Sequence, residues 1–185
     1  MKVSVDRYDR VQVILHWLIA AIILFMIGLG LFMVQLPKES ELPPGQESVR
    51  AFYFLLHKSL GLTAAMLILF RLGWRLMHKA PPLPDYVPMW QQRASRGVHG
   101  LLYGLMVVMP VSGYLQSMFS KYDTKFWGIT LPRMAEANES MRETFSAVHE
   151  FLAFTLIALL LIHIAAAVKH RLAGNDIHKR ISLFD

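Results

Sequence analysis

The stretch FSAVHEFLAFTLIALLLIHIAAAVK, residues 145–169, carries only two formal charges, Glu150 near its start and Lys169 at its end. A helix needs about 20 mainly apolar residues to cross roughly 30 Å of hydrocarbon, so the stretch reads as a membrane span. It also holds two histidines, His149 and His163. On a helix their separation is about four turns, roughly 21 Å along the axis and only about 40° around it. One face of one membrane helix therefore offers an imidazole in each half of the bilayer.

Three further stretches have the same length and character: residues 11–35, 51–76 and 98–118. The first contains no formal charge at all. Lys2, Arg7 and Arg10 before it resemble the basic start of a signal peptide, but its apolar run is too long and no A-x-A site follows, so it is expected to be a retained span. With 55% hydrophobic residues gathered into four runs, the expected fold is all-α, a four-helix bundle integral to the membrane in a single domain, 1–185. Pro110, inside the third span, is expected to kink it, which neighbouring helices make tolerable. Between the spans, residues 37–50 suit an irregular turn around Pro43, Pro44 and Gly45. The loop 78–97 opens on an extended stretch with Pro81, Pro82, Pro84 and Pro88, followed by a short interfacial helix over 89–96 with Trp90 at headgroup level. Residues 119–144, the longest connection, hold Phe126, Trp127 and Gly128 and are expected to cap one end of the bundle. The tail from 173 to 185 is polar and basic.

Four spans put both termini and the middle loop on one side of the membrane. Twelve of the 19 lysines and arginines fall there, against five acidic residues, among them Asp85 and Asp185; the other side has seven basic and eight acidic residues, Glu47 included. The Lys and Arg excess marks the terminal side as cytoplasmic. The net charge of +6 is thus a topology signal, and no nucleic-acid-binding motif accompanies it. The chain has no cysteine, which excludes disulfides, iron–sulfur clusters, thiolate-ligated haem and covalent haem attachment.

An ionisable side chain at membrane depth is costly and marks a functional site by default. A lone intramembrane histidine also serves as a helix–helix hydrogen-bonding residue, but four at paired depths differ from one. His16 lies near the terminal end of the first span and His57 near the opposite end of the second. Depth therefore pairs His57 with His149 in the outer half and His16 with His163 in the cytoplasmic half. Opposed imidazoles from two helices are the axial ligands of a bis-histidine haem, whereas tetrahedral zinc wants more ligands than either cluster supplies. Arg71, about four turns after His57 and so on nearly the same face, suits a haem propionate, or equally snorkels to the headgroups. Gly61, one turn after His57, offers room for a porphyrin or for plain helix packing. His99, at the cytoplasmic start of the third span, has no depth-matched partner in this scheme and is assigned either to a propionate or to the interface. His170, two turns beyond His163, is placed beside the inner haem, where a quinone headgroup can accept its hydrogen bond. His78 and His178 read as loop residues.

Taken in order, Arg10 with His16-Trp17, His57-Lys58-Ser59-Leu60-Gly61 with Arg71 and Arg75, and His99 with Met109-Pro110 and Gly113 resemble the bacterial cytochrome b561 family. His149-Glu150, His163 with His170, and the closing Asn175-Asp176 continue the likeness over nearly the whole chain. The resemblance implies a multi-pass protein of the bacterial inner membrane with two b haems, ligated at His16, His57, His149 and His163. It implies electron passage between the outer face and the quinone pool, with ubiquinone as the expected acceptor. Some members are thought to oxidise superoxide, and others serve as membrane subunits of dehydrogenases. Bis-histidine iron has no open position, so the expected work is outer-sphere electron transfer. In a superoxide:quinone oxidoreductase the electron enters at the outer haem, moves to the inner one and leaves near His170, with Lys58 and Arg142 attracting the anion. The near-zero charge of the outer side argues against a strong electrostatic funnel. The alternative is a non-catalytic relay docked to a periplasmic redox partner; a transporter or scaffold using histidines for packing is a third class, which predicts a colourless protein.

Overall fold

The structure, a computed structural model, describes residues 6–46, 48–84 and 86–183. Lys2, Glu47, Asp85 and Asp185, which enter the charge balance, lie outside them. Among the described residues there are four α-helices: α1 (Arg10–Met33), α2 (Arg50–Met77), α3 (Met89–Met118) and α4 (Glu139–Leu172). All four are long and apolar enough to cross a membrane. Two two-residue strands, β1 (Lys125–Phe126) and β2 (Ile129–Thr130), form a hairpin between α3 and α4, and 3₁₀ segments occupy Glu39–Glu41 and Asp176–Ile181.

Each helix begins and ends for a local reason. Asp9 caps α1 by accepting from the Gln12 backbone N–H at 2.9 Å. At the other end of α1 the Arg50 guanidinium donates to the Val34 carbonyl at 3.2 Å and to the Leu36 carbonyl, satisfying acceptors that a helix end leaves open. Asn138 caps α4 by accepting from the Met141 N–H at 3.0 Å, so α4 starts ahead of the expected span, in a polar turn. The expected interfacial helix over 89–96 is the opening of α3 itself. Only Gly97 separates it from the span, and a mid-helix glycine costs about 1 kcal/mol, too little to break a helix this long. Pro110 likewise lies within an uninterrupted α3.

The core is small, because most apolar side chains face outward as lipid contact requires. Leu15 and Ile19 of α1 pack on Ala64 and Ile68 of α2, with Met106 and Val107 of α3 against them. Adjacent helices pack in chain order, α1 on α2, α2 on α3, and α3 most extensively on α4. No comparable packing joins α4 to α1 or to α2, and Leu156 alone is buried among the described residues of α4. So α4 is held to the bundle by α3 and stands apart from the other two helices.

Within the 119–144 connection the hairpin is anchored to the side of α2. It turns tightly, with φ of 47° at Trp127 and 90° at Gly128, the two-residue geometry that suits the twist of paired strands. Trp127 is an uncommon residue for that conformation, and two bonds hold it there: its backbone N–H donates to Ser59 Oγ at 3.0 Å and its indole N–H to Thr63 Oγ1 at 3.1 Å. The hairpin therefore lies along α2. At the opposite end, the α4 helix closes in a Schellman turn, with Asn175 N–H to the His170 carbonyl at 3.0 Å and Gly174 at φ 72°. That reversal sends Asp176–Ile181 back across the bundle end, where Trp17 Nε1–H donates to the Ile181 carbonyl at 2.7 Å and Tyr8 N–H to the Arg180 carbonyl at 3.1 Å. The described segments before α1 and after α4 thus lie at one end of the bundle.

Candidate functional site

The helices that do not pack against each other are the ones whose histidines meet. His57 of α2 and His149 of α4 have ring centres 6.3 Å apart with planes at 80°. His16 of α1 and His163 of α4 repeat the arrangement nearer the terminal end, at 6.2 Å and 67°. Two imidazole nitrogens each about 2 Å from one metal ion, with ring centres about 1.1 Å behind them, stand roughly 6.2 Å apart. Both pairs are spaced as two imidazoles that held one metal between them would be.

Two ligands do not make a metal site unless the metal brings the rest. Among the described residues no group of three or more His, Cys, Asp or Glu side chains is placed to hold a bare ion. The donor set fits a metal whose in-plane ligands come with it, which is what a porphyrin provides. Glycines flank the outer pair where such a group needs free rings. A Cβ on Gly113 of α3 would stand 2.9 Å from His149 Cε1, and one on Gly30 of α1 3.4 Å from His57 Cε1. The residues present fit a haem at each level.

Hydrogen bonds select the ring nitrogen available at His149. The Ser112 hydroxyl donates to the Met109 carbonyl at 2.8 Å, so with its one proton used it accepts from His149 Nδ1–H at 2.9 Å. That leaves Nε2 of His149 as the free lone pair. His57 Nδ1, by contrast, is buried without a hydrogen-bond partner among the described residues. At the inner level His99 is not alone, as sequence depth had suggested. Its ring centre lies 5.2 Å from that of His163, and its Nδ1–H donates to the Ser95 carbonyl at 2.6 Å, so three imidazoles gather there. Arg71 is beside them, with Nη2 3.2 Å from His16 Nδ1.

The remaining expected residues are dispersed. Lys58 is half-buried on α2 and has no ion pair or hydrogen bond among the described residues. Arg142, expected to assist it, is instead bound to Glu139, with Glu143 at 3.9 Å, so its charge is answered locally. Gly61 faces Met26 at 3.5 Å and touches neither histidine pair. His170 stands at the terminal end, its Nδ1 accepting from the Asn175 side-chain amide at 3.2 Å. His78 caps α2, stacked on Trp74 at 4.2 Å, and His178 lies in the C-terminal 3₁₀ segment. Ser112 and Gly30 escaped the sequence reading; the step along α1 from His16 to Gly30, equal to that from His149 to His163, was the available signal for the glycine.

Comparison with known proteins agrees with this arrangement. The model of a family described as prokaryotic cytochrome b561 matches residues 7–182. The chain is similar to cytochrome b561 homolog 2 of Escherichia coli (strain K12), 31% identical over 176 residues, covering 92% of this chain and 88% of that one. It is also similar to cytochrome b561 homolog 1 of the same organism, 23% identical over 92% of this chain and 93% of that one. A protein of Yersinia pestis named probable superoxide oxidase CybB is 23% identical over 92% of each chain.

Proposed function

Because the chain belongs to the prokaryotic cytochrome b561 family, bacterial membrane proteins of electron transfer that bind haem b, we propose that it carries two haems and passes electrons across the inner membrane to ubiquinone. The observation that carries this reading is the two imidazole pairs, 6.3 Å and 6.2 Å between ring centres, joining α4 to helices against which it has no extensive packing. His57 and His149 would hold the outer haem, His16 and His163 the inner one. Held so, haem iron supplies reversible one-electron transfer with no open position for oxygen or other ligands. The basic terminal end faces the cytoplasm, and the hairpin end faces the periplasm.

The chain's own residues set up the rest. Ser112 fixes the tautomer of His149, and α3 carries the glycine that keeps its ring free. Asn175 donates to His170 Nδ1, which places the His170 proton on Nε2, where it can be donated to a quinone carbonyl. Superoxide is the donor favoured by the likeness to the Yersinia protein, with Lys58 as a cation of α2 near His57 that has no carboxylate partner among the described residues. A second reading, a relay fed by a periplasmic redox protein, is favoured by the balance of seven basic and eight acidic residues on the outer side and by the pairing of Arg142. Purified protein should show about two b haems per chain by pyridine haemochrome, and a chain without a Soret band after expression with ample haem would end the proposal. Rapid reduction of added quinone by a superoxide source, abolished by superoxide dismutase, separates the oxidase from the relay.

A further inference from the structure

Three arginines gather at the terminal end of the bundle, and among the described residues no carboxylate pairs with them. Arg71 and Arg75 are one turn apart on α2, where like charges repel. Arg180 reaches the same region from the C-terminal 3₁₀ segment. Two tyrosine rings interleave them. Arg71 Cζ lies 5.5 Å from the Tyr103 ring centre and Arg75 Cζ 5.6 Å from it; Arg75 is also 5.7 Å, and Arg180 5.4 Å, from the ring centre of Tyr8. The sequence Arg71, Tyr103, Arg75, Tyr8, Arg180 forms a ladder of cations and rings that starts beside His16 and ends in the tail.

Ring faces attract cations but do not neutralise them. Arg180 is only 4% exposed; its guanidinium donates to the Pro81 carbonyl, while its Nε is buried with no partner among the described residues. A buried, incompletely bonded guanidinium is costly unless an anion completes it. Arg71 is in a related position. A guanidinium only donates, so His16 Nδ1 accepts from it and the ring proton sits on Nε2. Ligation of a metal through Nε2 moves that proton to Nδ1, and ligation through Nδ1 takes the lone pair itself. In both cases Arg71 is released and needs another acceptor close by.

We propose that Arg71, Arg75 and Arg180 together form the carboxylate-binding site for the two propionates of the inner haem, so that the C-terminal tail is a wall of the cofactor pocket. The proposal rests on the dihaem reading and adds to it Arg75, Arg180 and the tail. Guanidinium forks match carboxylates in shape as well as charge, and three of them against two propionates leave the inner level net positive. The tail is fixed in place for the task by Trp17 and by the Tyr8 backbone, both on the α1 side of the pocket.

Redox titration of the full-length Arg180→Gln protein tests this, with the inner component identified by the spectrum that survives in His57→Ala. Loss of a positive charge disfavours the added electron, so the midpoint of the inner component falls while the outer one stays. Arg180→Lys restores most of the shift. Arg75→Gln, which leaves the tail intact, lowers the same component and serves if Arg180→Gln fails to fold. Full haem content with neither midpoint moved in Arg180→Gln or Arg75→Gln overturns the proposal while leaving the two haems standing. An anionic phospholipid that copurifies with the wild type and is lost from Arg180→Gln, with both midpoints unmoved, assigns the cluster to a lipid headgroup and also overturns it. A haem-free wild type removes the dihaem reading and this proposal together.

Discussion

The outer and inner histidine pairs are spaced alike and differ in their surroundings. Around His57 and His149 the ring neighbours are Gly30, Gly113 and Ser112, small and uncharged, with a single half-buried lysine, Lys58, next along α2. Around His16 and His163 they are His99 and Arg71, with Arg75 and Arg180 behind. The rings are spaced alike, 6.3 Å against 6.2 Å, so ligation geometry does not separate the two levels. The field does. Positive charge near a redox centre favours its reduced form, so under the dihaem reading transfer of an electron from the outer level to the inner one is downhill. On that reading the arginines would bias the direction of transfer, and the histidines would supply the two stations.

The largest effect that breaks this comparison is removal of one ligand from each level. His57→Ala and His16→Ala should each lose about one of the two haems, measured by pyridine haemochrome, and leave the other's α-band in place. If both variants keep full haem, the pairing is wrong. A smaller effect sharpens the contrast between flanks. Gly113→Ala puts a methyl 2.9 Å from the His149 ring, closer than real contacts allow, so the outer haem alone should weaken. Ser112→Ala frees the His149 ring to turn and should weaken the same haem roughly 10- to 100-fold, as loss of a ligand's hydrogen-bond partner typically does. Equal loss at both levels in a haem-retention assay would show that the flanks are not level-specific.

Much of this was legible because one interval recurs. His149 and His163 on α4, His57 and Arg71 on α2, His16 and Gly30 on α1, and His99 and Gly113 on α3 are all separated by the same step. That step is about four helical turns, so each helix presents one residue to each level, and counting from the histidines alone finds the depth of every one of them. Spacing could not distinguish a glycine that clears a ring, such as Gly113, from one that packs nothing, such as Gly104. Gly61 illustrates the failure: it lies one turn from His57 yet meets Met26. The tail was equally hidden. Arg180 reads as one more basic residue after the last span, and only the reversal at Gly174 brings it against Tyr8. Position along the membrane axis is a local property of a helix; contact across the bundle end is not.

A lesser effect tests the exit at the inner level. His170→Ala removes a hydrogen-bond donor worth roughly 1 kcal/mol, so quinone KM should rise about fivefold with both haems retained. Unchanged quinone kinetics would take His170 out of the path.

The smallest expected effect compares the two ends through their helix caps. At the inner end α1 is capped by Asp9, a carboxylate; at the outer end α4 is capped by Asn138, an amide that does not titrate. Burial pushes the Asp9 carboxyl up, but the Gln12 N–H and the Trp74 indole N–H it accepts from outweigh this and hold it below its ordinary value of 3.8. A carboxylate depressed in the folded state contributes stability above its unfolded pKa and loses it as pH falls through the folded one. The inner end should therefore loosen below pH 3.8 while the outer cap is unaffected. Asp9→Ala should cost about 1 kcal/mol at neutral pH, a typical cap loss, whereas Asp9→Asn keeps a capping oxygen and costs less. Thermal melts in detergent at pH 7 and pH 3 would check it: the acid-induced drop in the wild type should shrink in Asp9→Asn. A drop of the same size in both proteins would place the acid sensitivity elsewhere and remove this asymmetry between the two ends.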